Sequence, residues 1–158
     1  MMTQIQFTAL PTEIVTAYQN GAKDANGQTA EQAISDGDGI PCRHCLKHVA
    51  AGEPYLILAH RPFPELQPYA ELGPIFLHAK ACSRYAASRN LPPILGSKQY
   101  IIRGYNKQNR IMYGTGQVTA TTDIPQTAAQ ILSNPDIAYI HVRSAANNCF
   151  QCRIDRRE

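Results

Sequence analysis

The sequence predicts an α+β fold with a mainly antiparallel sheet and about three short helices. Runs of strand length, rich in Ile, Val and Tyr, recur along the chain and are joined mostly by short polar connections, the spacing of hairpins rather than of crossover helices. Between them lie three stretches with apolar residues at helical spacing or with clear start and stop signals. About seven strands and three helices follow. A chain of 158 residues fits one domain. Within 1–158 it reads as a helix-containing segment 1–39, a central stretch 40–90 rich in Cys and His, and C-terminal hairpins with a helix over 97–158.

Thr3 to Phe7 alternates polar and apolar residues and predicts a short strand. Pro11 to Gln19 places Ile14, Val15 and Tyr18 on one helical face, with Asn20-Gly21 as the stop. The polar, glycine-rich segment that follows allows a helical turn at Thr29 to Ile34. Its Asp36-Gly-Asp38-Gly39 run invites a calcium loop, yet the twelfth residue from Asp36 is Lys47, where a bidentate Glu is needed. Turn chemistry accounts for such Asp-Gly pairs. Tyr55 to Ala59 and Ile75 to Leu77 are apolar strands bounded by Gly and Pro. His78 to Asn90 is alanine-rich, free of Gly and Pro, and followed by Pro92-Pro93, which predicts a helix. Gln99 to Tyr105 and Arg110 to Tyr113 flank a four-residue polar loop and predict a hairpin. Gln117 to Thr122 is extended, and Ile124 to Ser133 is a helix with Pro125 in its first turn. Ile137 to Arg143 and Cys149 to Asp155 complete a last hairpin. One antiparallel sheet is expected to hold Tyr55–Ala59, Ile75–Leu77, Gln99–Tyr105, Arg110–Tyr113, Ile137–Arg143 and Phe150–Asp155.

Composition narrows the function classes. Apolar residues make up 44% and charged residues 17%, ordinary values for a globular chain. At this length folding buries roughly 70% of the extended-chain surface, enough for a core without disulfides. The net charge of +3 is small and scattered, which argues against nucleic acid as a partner. The N-terminus lacks a charged region followed by an apolar run, so no signal peptide is expected. No apolar run reaches the ~18 residues of a membrane helix. Five cysteines without a secretory signal point to a reducing cytoplasm and to free or metal-bound thiols.

The chemistry concentrates between Ile40 and Asn90, which holds three of the five cysteines and four of the five histidines. Zinc takes four thiolate, imidazole or carboxylate ligands in a tetrahedron. Cys42-x2-Cys45 supplies two from a tight turn. His78-x3-Cys82 supplies two more from one face of a helix beginning near His78. A Cys-x2-Cys turn, a hairpin and then a helix is the order found in treble-clef zinc sites. The expected site is closed, with no water position, and therefore structural. Against it, Leu46 stands where zinc turns often carry Gly, and the interval between the pairs is long. If Pro41 to His48 is instead a strand, Cys42 and Cys45 point to opposite faces. Ordinary burial of small thiols and a satisfied histidine is the competing reading. A joint site of Cys42, Cys45, Cys149 and Cys152 is a further arrangement, and it needs turns in both stretches. A redox Cys-x-x-Cys needs a helix N-terminus, which neither pair clearly precedes.

Outside this cluster, Arg43, Glu53, Glu71, His141 and Arg143 are polar residues beside apolar runs. Of these Arg43, His141 and Arg143 are the candidate ligand-binding set for an unidentified small molecule or protein partner. Solvated strand faces and salt bridges are the competing explanation.

Five separated motifs fall in order: Pro-Cys42-Arg43-x-x-Leu46, Gly52-Glu53, Pro68-Tyr69, Gly73-Pro-Ile-Phe76, and Ala138-Tyr-Ile-His-Val-Arg143 with Cys149 and Arg153-x-x-Arg156 after it. With these motifs the chain resembles domain-of-unknown-function family 1203. The resemblance spans nearly the whole chain and implies a single-domain bacterial protein with no assigned reaction. In that family some members have Ser in place of Cys45 and no cysteine at Cys82, so a zinc site would belong to a Cys-rich branch. Two function classes result: a non-enzymatic binding or scaffold module with structural zinc, or a small enzyme using a pocket of Cys, His and Arg.

Overall fold

A computed structural model describes residues 3–158. These residues form eight strands and two α-helices: β1 (Ile5–Thr8), α1 (Thr12–Gln19), β2 (Glu31–Ile34), β3 (Pro54–His60), β4 (Gly73–His78), β5 (Gln99–Tyr105), β6 (Gln117–Ala120), α2 (Ile124–Leu132), β7 (Tyr139–Ser144) and β8 (Phe150–Arg156). A single 3-10 turn, Thr121–Asp123, leads into α2. Every ladder between these strands is antiparallel. The α+β class holds. Two helices stand where three are expected, and the strands form two sheets rather than one. No helix among the described residues is long and apolar enough to cross a membrane.

The chain groups into two compact units. The first comprises 3–8, Glu65–Ala70 and Ala87–Glu158 and carries a five-stranded sheet in the order β1-β8-β7-β5-β6. Strand β7 has neighbours on both edges, and its first five residues are buried, His141 and Arg143 included. Helix α2 packs on this sheet through Ile124, Ala128, Ala129 and Leu132, a stripe with helical period. Arg156 closes the far end of α2: its guanidinium donates to the carbonyl of Leu132, a group a helix C-terminus leaves without a partner, and to those of Asn134 and Ile137 in the turn that follows.

The second unit, Ala9–Pro64 with Glu71–Ala86, holds α1 and a three-stranded sheet in the order β2-β3-β4. Its core gathers Val15, Val49, Leu56, Leu58, Ile75 and Leu77. The β3–β4 register pairs Tyr55 with His78, so the last residue of β4 lies across from the start of β3. The Asp36–Gly39 run is a turn: Asp36 Oδ1 accepts the Asp38 N–H at 2.9 Å, and Gly37 and Gly39 have φ of +92° and +71°.

Three local expectations are corrected. The helix over His78 to Asn90 does not form. His78 ends β4, and residues 79–87 run as an irregular arm. The Gln19 side chain donates to the carbonyls of His78 and Lys80, the Tyr85 N–H donates to the His44 carbonyl, and Arg84 donates to the Ala9 carbonyl. The bonds to the His78 and Lys80 carbonyls and from the Tyr85 N–H take up backbone groups a helix would use for itself, and together with the Arg84 bond they outweigh an alanine propensity of a few tenths of a kcal/mol per residue. Residues 31–34 form the edge strand β2, not a helical turn. Their burial shows no alternation, and the ladder with β3 fixes them. Arg110 to Tyr113 forms only an isolated bridge, Tyr105 to Ile111; β6 takes the place beside β5 instead. The loop between is still a turn, with Asn109 at φ +63°.

Candidate metal centre

Cys42 and Cys45 sit in a tight turn closed by the Pro41–His48 bridge. The Cys42 N–H donates to the Lys47 carbonyl and the Leu46 N–H to the Cys42 carbonyl. Folding the chain under the two sulfurs requires a left-handed residue. Leu46 supplies it at φ +54°, where Gly is the cheaper choice. The strand alternative for Pro41 to His48 is thereby excluded. A parallel bridge from Cys42 to Phe76, with the Arg43 N–H donating to the Phe76 carbonyl, lays the turn beside β4. His78, two residues further along β4, thus comes under the Cys42 sulfur and donates its N–H to it at 3.3 Å. The irregular arm then returns Cys82.

Cys42, Cys45, His78 and Cys82 converge, each offering one ligand atom, and these atoms all lie within 4.8 Å of one another. The Cys42 and Cys82 sulfurs are 4.0 Å apart, and His78 Nδ1 is 3.5 Å from the Cys45 sulfur. A tetrahedron with Zn–S near ~2.3 Å has S···S edges of about 3.8 Å and somewhat shorter S···N edges. The four donors therefore fit zinc in spacing and in chemistry, three soft sulfurs and one imidazole. The second pair reaches the site differently from the expectation. A strand end and an irregular arm, not one helix face, bring His78 and Cys82 together, so the helical part of the treble-clef order is absent.

The electrostatics point the same way. The Cys42 thiol is pulled down to about 4 by the hydrogen bond from Cys45 and by backbone N–H groups, that of His78 among them, against the cost of burial. Cys45, which donates to Cys42, is held far above the ordinary thiol range. Burial and the charge on Cys42 push Cys82 up to about 11. Three sulfurs this close cannot all ionise on their own, and a divalent cation is what lets them. Cys42 and Cys45 are buried, His78 and Cys82 partly so.

Two further residues meet these ligands. Glu53 Oε2 lies 3.8 Å from His78 Nε2. His44 Nδ1 lies 3.1 Å from the Cys82 sulfur, and its Nε2 is 2.9 Å from Thr12 Oγ1. Glu53 is recognisable in sequence as a polar residue beside an apolar run, without a role. His44 stands between the two turn cysteines, but nothing in the sequence says which way it faces. Thr12 carries no local signal.

Arg43 is buried in the same unit, its Nη1 donating to the Pro41 carbonyl at 2.8 Å. His141 and Arg143 are buried in the other unit. His141 lies among the rings of Tyr105, Tyr139 and Phe150, and Arg143 donates to the Asn148 carbonyl. Cys149 and Cys152 are not among the converging residues: Cys152 is buried in β8, and the Cys149 thiol faces the Asn147 carbonyl. No disulfide links any of the five cysteines.

A family model described as "Protein of unknown function (DUF1203)" matches residues 39–156. No curated protein and no solved structure matches the chain.

Proposed function

This chain belongs to the DUF1203 family, and on that premise we propose that it is a non-enzymatic binding or scaffold module whose second unit is held together by one structural zinc ion. The observation that carries the reading is the convergence of four donor atoms, from Cys42, Cys45, His78 and Cys82, within 4.8 Å. Four protein ligands fill a tetrahedron and leave no position for water or substrate, which is the arrangement of a structural site. The ion would bridge three segments of low regularity: the Cys42–Cys45 turn, the end of β4 and the arm carrying Cys82. Ligands that are assembled only in the fold make binding energy into folding energy.

The test is metal analysis of protein purified without added metal, followed by unfolding with and without a strong chelator. One zinc per chain, and a chelator-dependent loss of stability, is the expected result. Metal-free protein with unchanged stability in chelator, and no uptake of zinc or cobalt(II), overturns the reading.

A further inference from the structure

The four donors differ in how they are shielded. Cys42 is 0% and Cys45 7% exposed, while Cys82, on the irregular arm, is more open. Of the three clustered cysteines it is the most exposed, and its sulfur is met by the imidazole of a histidine outside the four donors. His44 is 2% exposed, and both of its ring nitrogens are engaged, Nδ1 with Cys82 Sγ at 3.1 Å and Nε2 with Thr12 Oγ1 at 2.9 Å. A metal-bound thiolate can only accept a hydrogen bond. In the neutral ring Nδ1 then carries the proton and donates, Nε2 accepts, and the Thr12 hydroxyl donates to it. A single tautomer of the neutral ring satisfies all three groups. Thr12 is the first residue of α1, so the ring is set by an element outside the ligand segments. The peptide N–H of Tyr85 donates to the His44 carbonyl and fixes the arm against the same residue.

We infer that Thr12 and His44 form a hydrogen-bonded relay onto Cys82 that restrains the reactivity of this sulfur and sets how readily the cluster gives up its metal. The inference rests on the zinc reading above. A hydrogen bond into a thiolate withdraws electron density from sulfur, weakening it as a nucleophile while it stays bound. Outer partners of metal ligands are typically worth about 10-fold to 100-fold in affinity. Thr12 and His44 are positioning residues here; neither binds the ion.

The test uses the zinc-loaded full chain and three variants: His44→Phe, Thr12→Val and Thr12→Ser. Zinc release to a chromogenic chelator is followed together with alkylation by iodoacetamide, which forms an S–C bond at a cysteine and expels iodide. His44→Phe should release zinc and become alkylated at Cys82 about tenfold faster or more. Thr12→Val, remote from the ligands, should show a smaller acceleration, and Thr12→Ser, which keeps the hydroxyl, should match wild type. In the cobalt(II) form, the sulfur-to-metal charge-transfer band should move to lower energy in His44→Phe and Thr12→Val, a shift that loss of packing alone does not produce. Should His44→Phe fail to fold, Thr12→Val against Thr12→Ser decides the matter. Loaded variants with wild-type release rates and an unmoved band overturn the relay and leave the zinc site standing. Wild type that takes up neither zinc nor cobalt(II) overturns the zinc reading and the relay with it.

Discussion

Glu53 Oε2 stands 3.8 Å from His78 Nε2, on the opposite side of the imidazole from the Nδ1 that faces the Cys45 sulfur. A metal-ligating histidine commonly donates its second ring N–H to a carboxylate, which fixes the tautomer and the ring plane. The β3–β4 register creates this pairing, since His78 lies across from Tyr55, two residues beyond Glu53. Glu53 is half exposed, so water competes for its oxygens and the effect should fall at the low end of the usual range. Glu53→Ala is expected to weaken zinc binding by about tenfold, and Glu53→Gln by less, because the amide oxygen still accepts. Competition titration against a chelator of known affinity measures both. Equal affinity in all three proteins would show that the carboxylate does not orient His78.

The four converging donors are legible in sequence, while the geometry that assembles them is not. Cys42-x2-Cys45 and His78-x3-Cys82 carry their spacing openly. The i, i+4 spacing of the second pair nevertheless suggests a helix that does not exist. Residues 78–90 have the composition of one, and tertiary hydrogen bonds, those with Gln19, Ala9 and His44 among them, hold them out of it. Composition describes a segment's own preferences, and these bonds come from elsewhere in the chain. Residues 31–34 fail for the same reason: an edge strand with a solvated face shows no alternation. By contrast, β5 spans the residues expected of it, and β8 and α2 differ by a residue or two at their ends. Their apolar periodicity is written locally. The division into two sheets depends on which strands find each other, which strand patterns alone do not specify.

Removing a ligand separates the two Cys-x2-Cys pairs. Cys82→Ser takes one corner from a closed tetrahedron and leaves three sulfur and nitrogen donors around a hard, poorly matched oxygen. Zinc content should fall well below one per chain, and stability should fall with it. Cys149→Ser alters a thiol outside the cluster and should leave one zinc per chain. Elemental analysis after gel filtration, with urea unfolding of the same samples, distinguishes the two. Full zinc occupancy in Cys82→Ser, or loss of zinc in Cys149→Ser, would show that the ligand set is wrong.

His60 provides a pH dependence distant from the metal ligands in sequence. It is 4% exposed, its Nδ1 bonds the Tyr18 hydroxyl at 3.0 Å, and burial lowers it from 6.5 to about 4. The sign follows from proton binding. Between these two values the unfolded chain takes up a proton at His60 and the folded chain does not, so stability is complete above about pH 6.5 and declines as pH falls toward 4. The loss between pH 7 and pH 4 is about 3 kcal/mol from this group. His60→Gln keeps a side chain able to hydrogen-bond Tyr18 and removes the titration. Urea unfolding of wild type and His60→Gln across this range should show the steeper decline in wild type, with other acid-sensitive groups common to both. Parallel declines would mean that His60 titrates normally in the fold.

Leu46 places two opposing effects on one residue. Its φ of +54° is a left-handed conformation that costs a non-glycine residue roughly 1–2 kcal/mol. Its side chain is only 6% exposed, and deleting a buried Leu side chain costs about 2–5 kcal/mol. Lost packing should outweigh relieved strain. Leu46→Gly relaxes the backbone but empties the space the side chain fills, so the protein should lose stability by about 0–4 kcal/mol, the difference between those ranges. Leu46→Ala makes the same cavity and keeps the strain, so it should be less stable than Leu46→Gly by about 1 kcal/mol. Both should retain one zinc per chain, because the turn that presents Cys42 and Cys45 is held by backbone hydrogen bonds from Leu46 to Cys42 and from Cys42 to Lys47. Urea unfolding of zinc-loaded protein gives the ranking wild type, then Gly, then Ala. An Ala variant more stable than the Gly variant would show that the turn carries no left-handed strain at this position, and a Gly variant more stable than wild type would show that strain, not packing, dominates there.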